Sequence, residues 1–538
     1  MSSKNRNNLF FSGVVILTFA NILVKVIGLF YKIPMYNLVG SEGMGYFNSA
    51  YKIYTAFYLV STGGLPIAVS LMISEARAKG KRDEVKSIFK AAVGLFAVIG
   101  TVGTAIMAIG SKGFAAFSGN EATYVCMIAI APTLFFICIC SALRGYFQGY
   151  QNMLPTAISE VLEALGKLVL GILFAYYAIS KGYELQVVAA FALLGITVGV
   201  AVGTVYIVIH RIFFKSDEFD AEFVCAEDNS SRNIKQIIKT LFMIAIPISI
   251  SSSVMSVADS FDSGIIQRAL LYLGYTSEEA NAMWGDYSTL AIPLYNMPSI
   301  LIYPISASIV PYISSAIAEK NMKMAREVMT SSLKIASLIA IPSALGLSVL
   351  SKPILNLLYD NKAGGVDFSA PLLSVLAIAV FFIGMLSVTN SILQANKFEK
   401  MPIISIIIGA LVKIVSTTAL MRCGLGMYGA PLGTVLCYMT ISILNFIFIA
   451  KKVKLIPNFS AVFLKPFLAA IPCCLAAMGT YFLLDGFHEK IATLIAIAVA
   501  VIVYLIAVLL FKVITKDEIM MIPKGQKVYS LLNKLKLM

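Results

Sequence analysis

Apolar runs of about 20 residues recur along this chain from Leu9 to Phe511, with only short polar links between them. A run of that length crosses the hydrocarbon core of a bilayer as a helix, because every backbone group in lipid must be hydrogen-bonded within the protein. Spanning strands would alternate in polarity, and these runs do not. Only 13% of the residues are charged and 59% are hydrophobic, a balance foreign to soluble domains. We therefore predict an all-α integral membrane protein with about 14 transmembrane helices. In order, the predicted spans are roughly 9–31, 46–73, 88–110, 122–144, 155–179, 187–210, 236–272, 286–317, 330–351, 368–392, 401–421, 428–450, 461–484 and 490–512.

The positively charged residues of the chain are concentrated in alternate loops. The formal net charge is +14, which by itself would suit a nucleic-acid partner. Of the 42 lysines and arginines, 30 fall in the loops on one side of the predicted topology, Arg144 among them, and 9 fall on the other side, while Lys25, Lys167 and Lys413 lie within spans. Cytoplasmic loops of membrane proteins are enriched in such residues. The bias predicts both termini in the cytoplasm, an even number of spans and no nucleic-acid partner.

The chain carries an internal repeat on either side of a charged segment. The motif Ile-Ser-x-Ala-x-Ala that ends at Ala78 returns 240 residues later, each time before a basic stretch. Pro155 and Lys167 have counterparts, in the same order, in Pro402 and Lys413. A duplicated unit of six spans starts twice from the same side, so an axis along the membrane normal should relate the copies. We expect two pseudo-symmetric six-helix lobes plus two C-terminal helices: an N-lobe at 1–210, a cytoplasmic interlobe linker at 211–235, a C-lobe at 236–452, and the last two helices with a cytoplasmic tail at 453–538.

Motifs of enzyme chemistry are missing from the sequence. It has no phosphate-binding glycine loop, dinucleotide turn, zinc-ligand spacing or nucleophile elbow, and its two histidines lie near span ends. The eight cysteines fall mostly in apolar runs, without metal-ligand spacing. We expect a protein that is not an enzyme and uses no cofactor and no metal. Without a nucleotide-binding module, transport would draw on an ion gradient, the membrane potential or the substrate gradient.

Lysines near the middle of spans are the first candidates for substrate binding. A charge at the bilayer centre costs about 2.5–3.5 kcal/mol on insertion scales, so it is expected to face an interior. Lys167 and Lys413 lie 12 and 11 residues beyond the prolines that begin their spans, which is about 17 Å along a helix. They could line a path for an anionic head group or be buried structural partners. For Lys167 that partner would be Glu163, four residues earlier.

Further cations cluster toward the predicted outer side. Lys25 and Lys32 lie seven residues apart on one helix face, Lys52 opens the second span, and Arg268 ends the seventh. Together they could form a ring of positive charge around a cavity. Alternatively, each long side chain could extend separately to the membrane interface.

Two acidic pairs are candidates for ion coupling. Asp259 and Asp262 lie three residues apart in span seven, and Glu160 and Glu163 form a similar pair near the inner end of span five. Carboxylates within spans often mark proton or cation paths, but they also form interhelical hydrogen bonds and salt bridges. For the span-seven pair, such a bridge could reach Lys25.

The N-terminal region resembles a known group of membrane proteins. The residues that carry the resemblance are Asn21-Ile-Leu-Val-Lys25-Val-Ile-Gly28-Leu-Phe-Tyr31-Lys32-Ile-Pro34 and Leu38-Val39-Gly40-x-Glu42-Gly43-Met44-Gly45-x-Phe47-Asn48-x-Ala50-Tyr51. They look like the polysaccharide-transporter branch of the multidrug/oligosaccharidyl-lipid/polysaccharide (MOP) flippase superfamily. The stage V sporulation protein B group, with the MurJ-like lipid II flippases, is the most similar part of it. The similarity covers the whole chain. It is specific for the group of proteins and less specific for the cargo that they transport.

The resemblance implies a V-shaped cavity between two six-helix lobes, with spans 13 and 14 shaping a groove for a lipid tail. Lys25 matches a basic position of the first helix in MurJ-like proteins, and Tyr31 stands at a second such position with Lys32 beside it. A sodium site of the MurJ-like type would find Asp259 and Asp262 in span seven, whereas span eleven supplies no carboxylate.

The implied function is that of a flippase. It would move a polyprenyl-pyrophosphate-linked saccharide, foremost the peptidoglycan precursor lipid II, across the bacterial cytoplasmic membrane by alternating access. The alternatives are export of another cell-surface polysaccharide unit and cation-coupled multidrug antiport, for which an acidic cavity would be expected. A non-transporting scaffold is disfavoured by the charges within spans. The implied partners are the lipid-linked saccharide, membrane lipids and cell-wall synthesis enzymes.

Overall fold

The computed structural model describes residues 3–214, 232–319, 321–359, 364–454, 457–484 and 488–511, together with residue 513. About 90% of these described residues are helical, and no strand occurs among them. The all-α prediction is therefore confirmed. Most of the expected interlobe linker, 215–231, and the expected tail from 514 onward lie outside the described residues.

The chain up to the first π-helical turn contains ten described α-helices. They are α1 (Ser3–Thr62), α2 (Leu65–Ala78), α3 (Arg82–Ile109), α4 (Ser111–Phe117), α5 (Tyr124–Ile130), α6 (Thr133–Gly149), α7 (Leu154–Ser180), α8 (Leu185–Phe213), α9 (Ile234–Tyr272) and α10 (Ser277–Asp286).

The expected first and second spans form one helix with an internal break. α1 changes direction at Gly40, whose φ of 67° lies in the left-handed region that glycine adopts without a steric penalty. A second interruption separates α1 from α2, within the span expected at 46–73. There a Cβ on Gly64 would stand 2.2 Å from the Ala245 carbonyl oxygen, so only glycine allows α9 to approach this closely. The Gly64 N–H donates to Ser249 Oγ of α9 at 2.9 Å.

The rest of the chain contains ten further described α-helices. They are α11 (Ile292–Asn296), α12 (Ser299–Ala318), α13 (Met322–Val349), α14 (Ser351–Leu358), α15 (Gly365–Leu376), α16 (Ile378–Ala395), α17 (Lys400–Leu420), α18 (Gly429–Phe448), α19 (Lys465–Leu483) and α20 (Glu489–Leu510). π-helical turns precede or follow several of them, at Tyr287–Ala291, Met421–Leu425, Ile449–Val453 and Ser460–Leu464.

The helices are long enough to make this a multi-pass membrane protein. In the described part of the chain, nine segments have the length and hydropathy of a membrane span. Two of them, Ile16–Ala78 and Lys400–Val453, contain 63 and 54 residues, more than twice the about 20 residues that one crossing needs. The total of about 14 spans stays a prediction.

The chain divides by its contacts into two compact units, residues 1–285 and 286–538. In the first unit α7 lies along α8, and α9 packs on α1, α2 and α3. Gln267 of α9 donates to Ser49 Oγ at 3.1 Å, and Ser260 donates to the Lys52 carbonyl at 2.9 Å. The predicted lobes divide at 211–235 and put α9 in the C-lobe, whereas these contacts join α9 to the first unit. The six-helix repeat stays a prediction.

The second unit has its own apolar core between α12, α13 and α16. Ile313, Met329 and Val388, one from each helix, are fully buried there. The last two helices pack against each other, and α19 also packs on α13. Tyr504 of α20 donates to the Leu338 carbonyl at 2.9 Å, which attaches the final helix to α13.

Candidate functional site

The first unit encloses a cavity of about 400 Å³ between α1, α6, α7 and α8. Its wall combines three kinds of side chain. The ionisable ones are Lys25, Arg144, Glu160, Glu163 and Lys167, the aromatic ones are Tyr51, Tyr54 and Tyr58, and the apolar ones include Val24, Ile137, Ile196 and Val200. We call this space the N-unit cavity. Four of the ten residues that the sequence singled out line it.

Lys167 projects from α7 toward two aromatic rings of α1. Its Nζ lies 4.5 Å from the ring centroid of Tyr51 and 5.0 Å from that of Tyr31. A cation over a ring face is attracted by the negative face of the π system, an interaction of about 0.5–2 kcal/mol. No described carboxylate lies within 4 Å of this ammonium group. The rings therefore hold a lysine inside the protein without neutralising its charge.

Of the two alternatives for Lys167, the structure does not contain the pairing with Glu163, because Arg144 binds that carboxylate. Arg144 Nη2 lies 2.7 Å from Glu163 Oε1, and Arg144 Nε donates to Ser159 Oγ at 2.9 Å. The Cys140 thiol also points to Glu163 Oε1, at 3.6 Å. The Glu163 side chain lies against Gly203 of α8, where a Cβ would be 2.7 Å from its Cγ.

Arg144 itself does not lie in a loop. The sequence counted it among the cytoplasmic loop cations, but it lies within α6 and is only 8% exposed. Its polar partners are on α7, so the ion pair joins two helices of the cavity wall. Removing one member of such a buried pair leaves an uncompensated charge, which costs several kcal/mol.

Glu160 lies one turn before Glu163 and faces the same cavity. Its Oε2 is buried and has no hydrogen-bond partner among the described residues. With every group ionised, the wall holds three cations and two carboxylates, for a formal charge of +1. The Arg144–Glu163 pair carries no net charge, so the surplus of one positive charge comes from Lys25 and Lys167 against Glu160.

The remaining cations from the sequence analysis lie outside the cavity wall. Lys32 is partly buried, and is near enough to Lys52 and Lys167 for their charges to repel it. Arg268 is exposed, and its Nη2 donates to the Ala116 carbonyl at 3.0 Å. Lys413 belongs to α17 of the second unit and is only 3% exposed.

The span-seven carboxylates also lie away from this cavity. Asp262 of α9 is 8% exposed and Asp259 is partly buried, and both interact with other described residues. Across the described part of the chain, no three His, Cys, Asp or Glu side chains converge in the way a metal ion would need.

The second unit contains an apolar groove of about 700 Å³. Five phenylalanines dominate its lining, and we call it the phenylalanine groove: Phe381, Phe382, Phe459, Phe463 and Phe467. It lies between α13, α16 and the start of α19. The resemblance implied a tail groove shaped by spans 13 and 14, and here the lining comes from span 13 without span 14.

Two groups of residues in the wall of the N-unit cavity were not predicted from the sequence. They are Arg144 and the three tyrosines. The signal for Arg144 was its place within a long apolar run, where a cation needs a partner. The tyrosines carry a periodic signal, because Tyr51, Tyr54 and Tyr58 recur at spacings of three and four residues, which places them on one face of α1.

Comparison with known proteins agrees with this architecture. Among curated relatives, stage V sporulation protein B of Bacillus subtilis (strain 168) is 24% identical over 516 residues, covering 96% of this chain and 98% of that protein. Lipid II flippase MurJ of the same organism is 25% identical over 452 residues, covering 82% of each chain. A solved structure of lipid II flippase MurJ in an inward closed conformation superposes with a TM-score of 0.69 at 17% identity, covering 92% of this chain and 98% of that one.

Two family models match the sequence. The model described as MatE matches residues 288–418. The model described as polysaccharide biosynthesis protein matches residues 10–317, which is more than half of the chain. This chain therefore belongs to the polysaccharide biosynthesis protein family of the MOP superfamily, and it is a multi-pass membrane transporter of that superfamily.

Proposed function

We propose that this transporter is a flippase for a polyprenyl-pyrophosphate-linked saccharide, and that its cargo is the peptidoglycan precursor lipid II. The observation that carries the proposal is the N-unit cavity, where Lys25 and Lys167 face a shared space and Lys167 is surrounded by tyrosines rather than carboxylates. A pyrophosphate is an anion that such a space attracts. The names of the relatives, a sporulation protein and a lipid II flippase, support the same class of cargo.

The chemistry of binding follows from charge and dehydration. Charge-assisted hydrogen bonds to phosphate oxygens contribute about 1.5–3 kcal/mol each when water is partly excluded. Lys25 and Lys167 supply two such donors, while Tyr51 and Tyr58 present aromatic rings suited to a sugar face. In this proposal Arg144 remains neutralised by Glu163 until the cargo arrives, and the pyrophosphate then competes with Glu163 for the guanidinium.

Movement of the cargo needs no covalent chemistry, so the protein acts as a transporter and not as an enzyme. An inside-negative potential favours outward transfer of an anion by about 2.3 kcal/mol per charge per 100 mV. A coupled ion would add to this drive. Glu160, with its buried partnerless oxygen, is our first candidate to bind a proton or cation, ahead of Glu163, Asp259 and Asp262.

The topology belongs to the same proposal. Both termini lie in the cytoplasm, and the protein resides in a bacterial cytoplasmic membrane. Lys32, Lys52 and Arg268 extend the positive surface that guides the head group. Lys413 is the counterpart of Lys167 in a repeated six-helix lobe, and the phenylalanine groove accommodates part of the lipid tail. Cell-wall synthesis enzymes then receive the cargo.

A second candidate function is multidrug antiport, which the match of residues 288–418 to the MatE model favours. Antiporters that export cationic drugs need acidic binding surfaces. The N-unit cavity has a formal charge of +1 and thus the opposite sign. Export of another lipid-linked cell-surface saccharide remains compatible with the same cationic cavity.

The test is complementation in a bacterium depleted of its own lipid II flippase. The account expects that the full-length chain restores growth, and that it does not confer resistance to cationic drugs. Growth failure at normal membrane abundance would reject lipid II as the cargo. If the chain instead restored a strain lacking another lipid-linked saccharide exporter, the flippase class would stand with a different cargo.

A further inference from the structure

A separate cavity lies at the end of the first unit where α3 begins and where α6 and α8 end. It measures about 400 Å³ and is lined by six apolar side chains and two cations, Lys90 and Arg211. None of its lining residues is acidic. We propose that this cavity binds the head group of an anionic phospholipid from the surrounding bilayer, as a resident lipid distinct from the transported cargo.

The surroundings of Arg211 hold its guanidinium group in a position to bind an anion. Its guanidinium carbon lies 4.5 Å from the ring centroid of Tyr146 and 5.0 Å from that of Phe89, so two rings fix its plane. The Arg211 Nε–H is buried, and no described residue accepts a hydrogen bond from it. A buried donor without an acceptor is costly. A phosphodiester oxygen would satisfy it and would match the planar geometry of the guanidinium group.

The two cations lie toward the ends of helices that are longer than a bilayer core. α3 has 28 residues and α8 has 29, and both are about 42 Å long or longer, against a hydrocarbon core of about 30 Å. Lys90 lies eight residues into α3 and Arg211 two residues before the end of α8. Lys90 is therefore about 12 Å from the start of α3 and Arg211 about 3 Å from the end of α8, so both lie within the length by which each helix exceeds the hydrocarbon core. Tyr150, His210 and Phe214 cluster at the same end, as aromatic residues do at membrane interfaces.

The apolar part of the cavity suits acyl chains. Val93, Ile139, Leu143, Val208 and Ile212 form its walls, and Ile212 is 71% exposed on the outside of the unit. A phospholipid has its phosphate at one end and its hydrocarbon chains at the other. This cavity has the matching arrangement, with cations at the helix ends and apolar walls toward the membrane. Basic pockets between spanning helices are a known setting for anionic head groups. Charge complementarity thus selects an anionic phospholipid over a zwitterionic one.

Native mass spectrometry of the full-length protein tests the proposal. The purified chain is titrated with phosphatidylglycerol or with phosphatidylcholine, and the bound lipid is counted. Wild-type protein should prefer phosphatidylglycerol, and the double substitution Lys90→Gln/Arg211→Gln should weaken that binding about 10- to 30-fold while leaving phosphatidylcholine unchanged. Equal phosphatidylglycerol affinity in both proteins, or no lipid preference in the wild type, would overturn the proposal.

Two single substitutions make the comparison robust. Lys90 is exposed, so Lys90→Gln should leave folding intact and still weaken phosphatidylglycerol binding about fivefold. Lys86→Gln is the matched control, because Lys86 lies one turn earlier on α3, is exposed and contacts Asp83 at 3.2 Å. It should bind lipid as the wild type does. An equal loss in both variants would indicate a diffuse surface charge and reject a defined site.

The acidic segment 215–231 is the rival occupant, since it follows Arg211 in the chain and contains Asp217, Glu218 and Glu222. Replacing its carboxylates by amides separates the two possibilities. Unchanged phosphatidylglycerol affinity supports the lipid site. A tenfold gain would show that the segment fills the cavity in the wild type, and the proposal would fall. None of these measurements involves transport, so their outcome is independent of the flippase proposal.

Discussion

The Arg144 guanidinium lies 2.7 Å from the Glu163 carboxylate, on neighbouring helices of the N-unit cavity. This pair explains why Lys167, one turn beyond Glu163, has no described carboxylate within 4 Å although it lies within a membrane span. The carboxylate that could have neutralised Lys167 points to α6, and the lysine rests instead on the rings of Tyr31 and Tyr51. The cavity wall is positive because it holds three cations against two carboxylates.

Glu163→Gln should destabilise the protein by about 3 kcal/mol, because it leaves the Arg144 charge buried without a counter-ion. Thermal unfolding of the detergent-purified protein measures the loss. Asp83→Asn is the control, since it removes an exposed partner of Lys86 and should cost at most about 1 kcal/mol. Equal melting temperatures for Glu163→Gln and the wild type would contradict a structural role for the pair.

Combining Glu163→Leu with Arg144→Met should recover much of the stability lost by Glu163→Leu alone. Apolar replacement of a whole buried ion pair is often neutral, whereas removal of one partner is not. In our account the double variant should nevertheless transport poorly, because it lacks the cavity cation at Arg144. Wild-type transport by a stable double variant would show that Arg144 has no part in cargo binding.

Tyr51→Leu should weaken transport several-fold, and Tyr51→Phe should not. Phenylalanine keeps the ring face on which Lys167 rests, while leucine removes a cation–π contact of about 0.5–2 kcal/mol. Transport rates in proteoliposomes, corrected for protein content, compare the two. If phenylalanine impaired transport as much as leucine, the hydroxyl group and not the ring would be the important feature.

The hydrophobic pattern predicted the helices well because lipid leaves the backbone few alternatives. It placed α7 at 155–179 and α13 at 330–351, against the observed Leu154–Ser180 and Met322–Val349. The pattern failed where a break depends on contact with a distant helix, as at Gly64 against Ala245. The Gly63-Gly64 pair and Pro66 are a local signal for a break there, which the hydropathy pattern did not take into account.

The sequence predicted some residues of the N-unit cavity but not their partners, because the partners depend on contacts between helices. An ionisable residue in an apolar run marks an interior, so Lys25, Glu160, Glu163 and Lys167 could be found from the sequence. Their partners could not, because spacing along α7 suggests only neighbours on the same helix. The choice of Arg144 over Lys167 as the partner of Glu163 depends on how α6 and α7 pack together.

Gly40→Ala should destabilise the protein by about 1–2 kcal/mol, because Gly40 has a φ of 67° that alanine adopts only with strain. Gly94→Ala is the matched control. Gly94 lies within α3, and nothing is within 4 Å of the position that its Cβ would occupy, so alanine should be neutral or stabilising by up to about 1 kcal/mol. Thermal unfolding distinguishes them, and an identical response to both changes would contradict the strain argument.

The central claim is that a cationic cavity binds the pyrophosphate of a lipid-linked saccharide. Substitution of Lys25 tests this claim most directly. The decisive measurement is transport of lipid II in proteoliposomes by Lys25→Ala and Lys25→Arg at matched protein content. Loss of one charge-assisted contact should reduce the alanine variant about 10- to 100-fold. The arginine variant should retain much of the rate, because it keeps the charge. Full transport by Lys25→Ala would contradict the claim and leave Lys167 and Lys413 to carry substrate recognition.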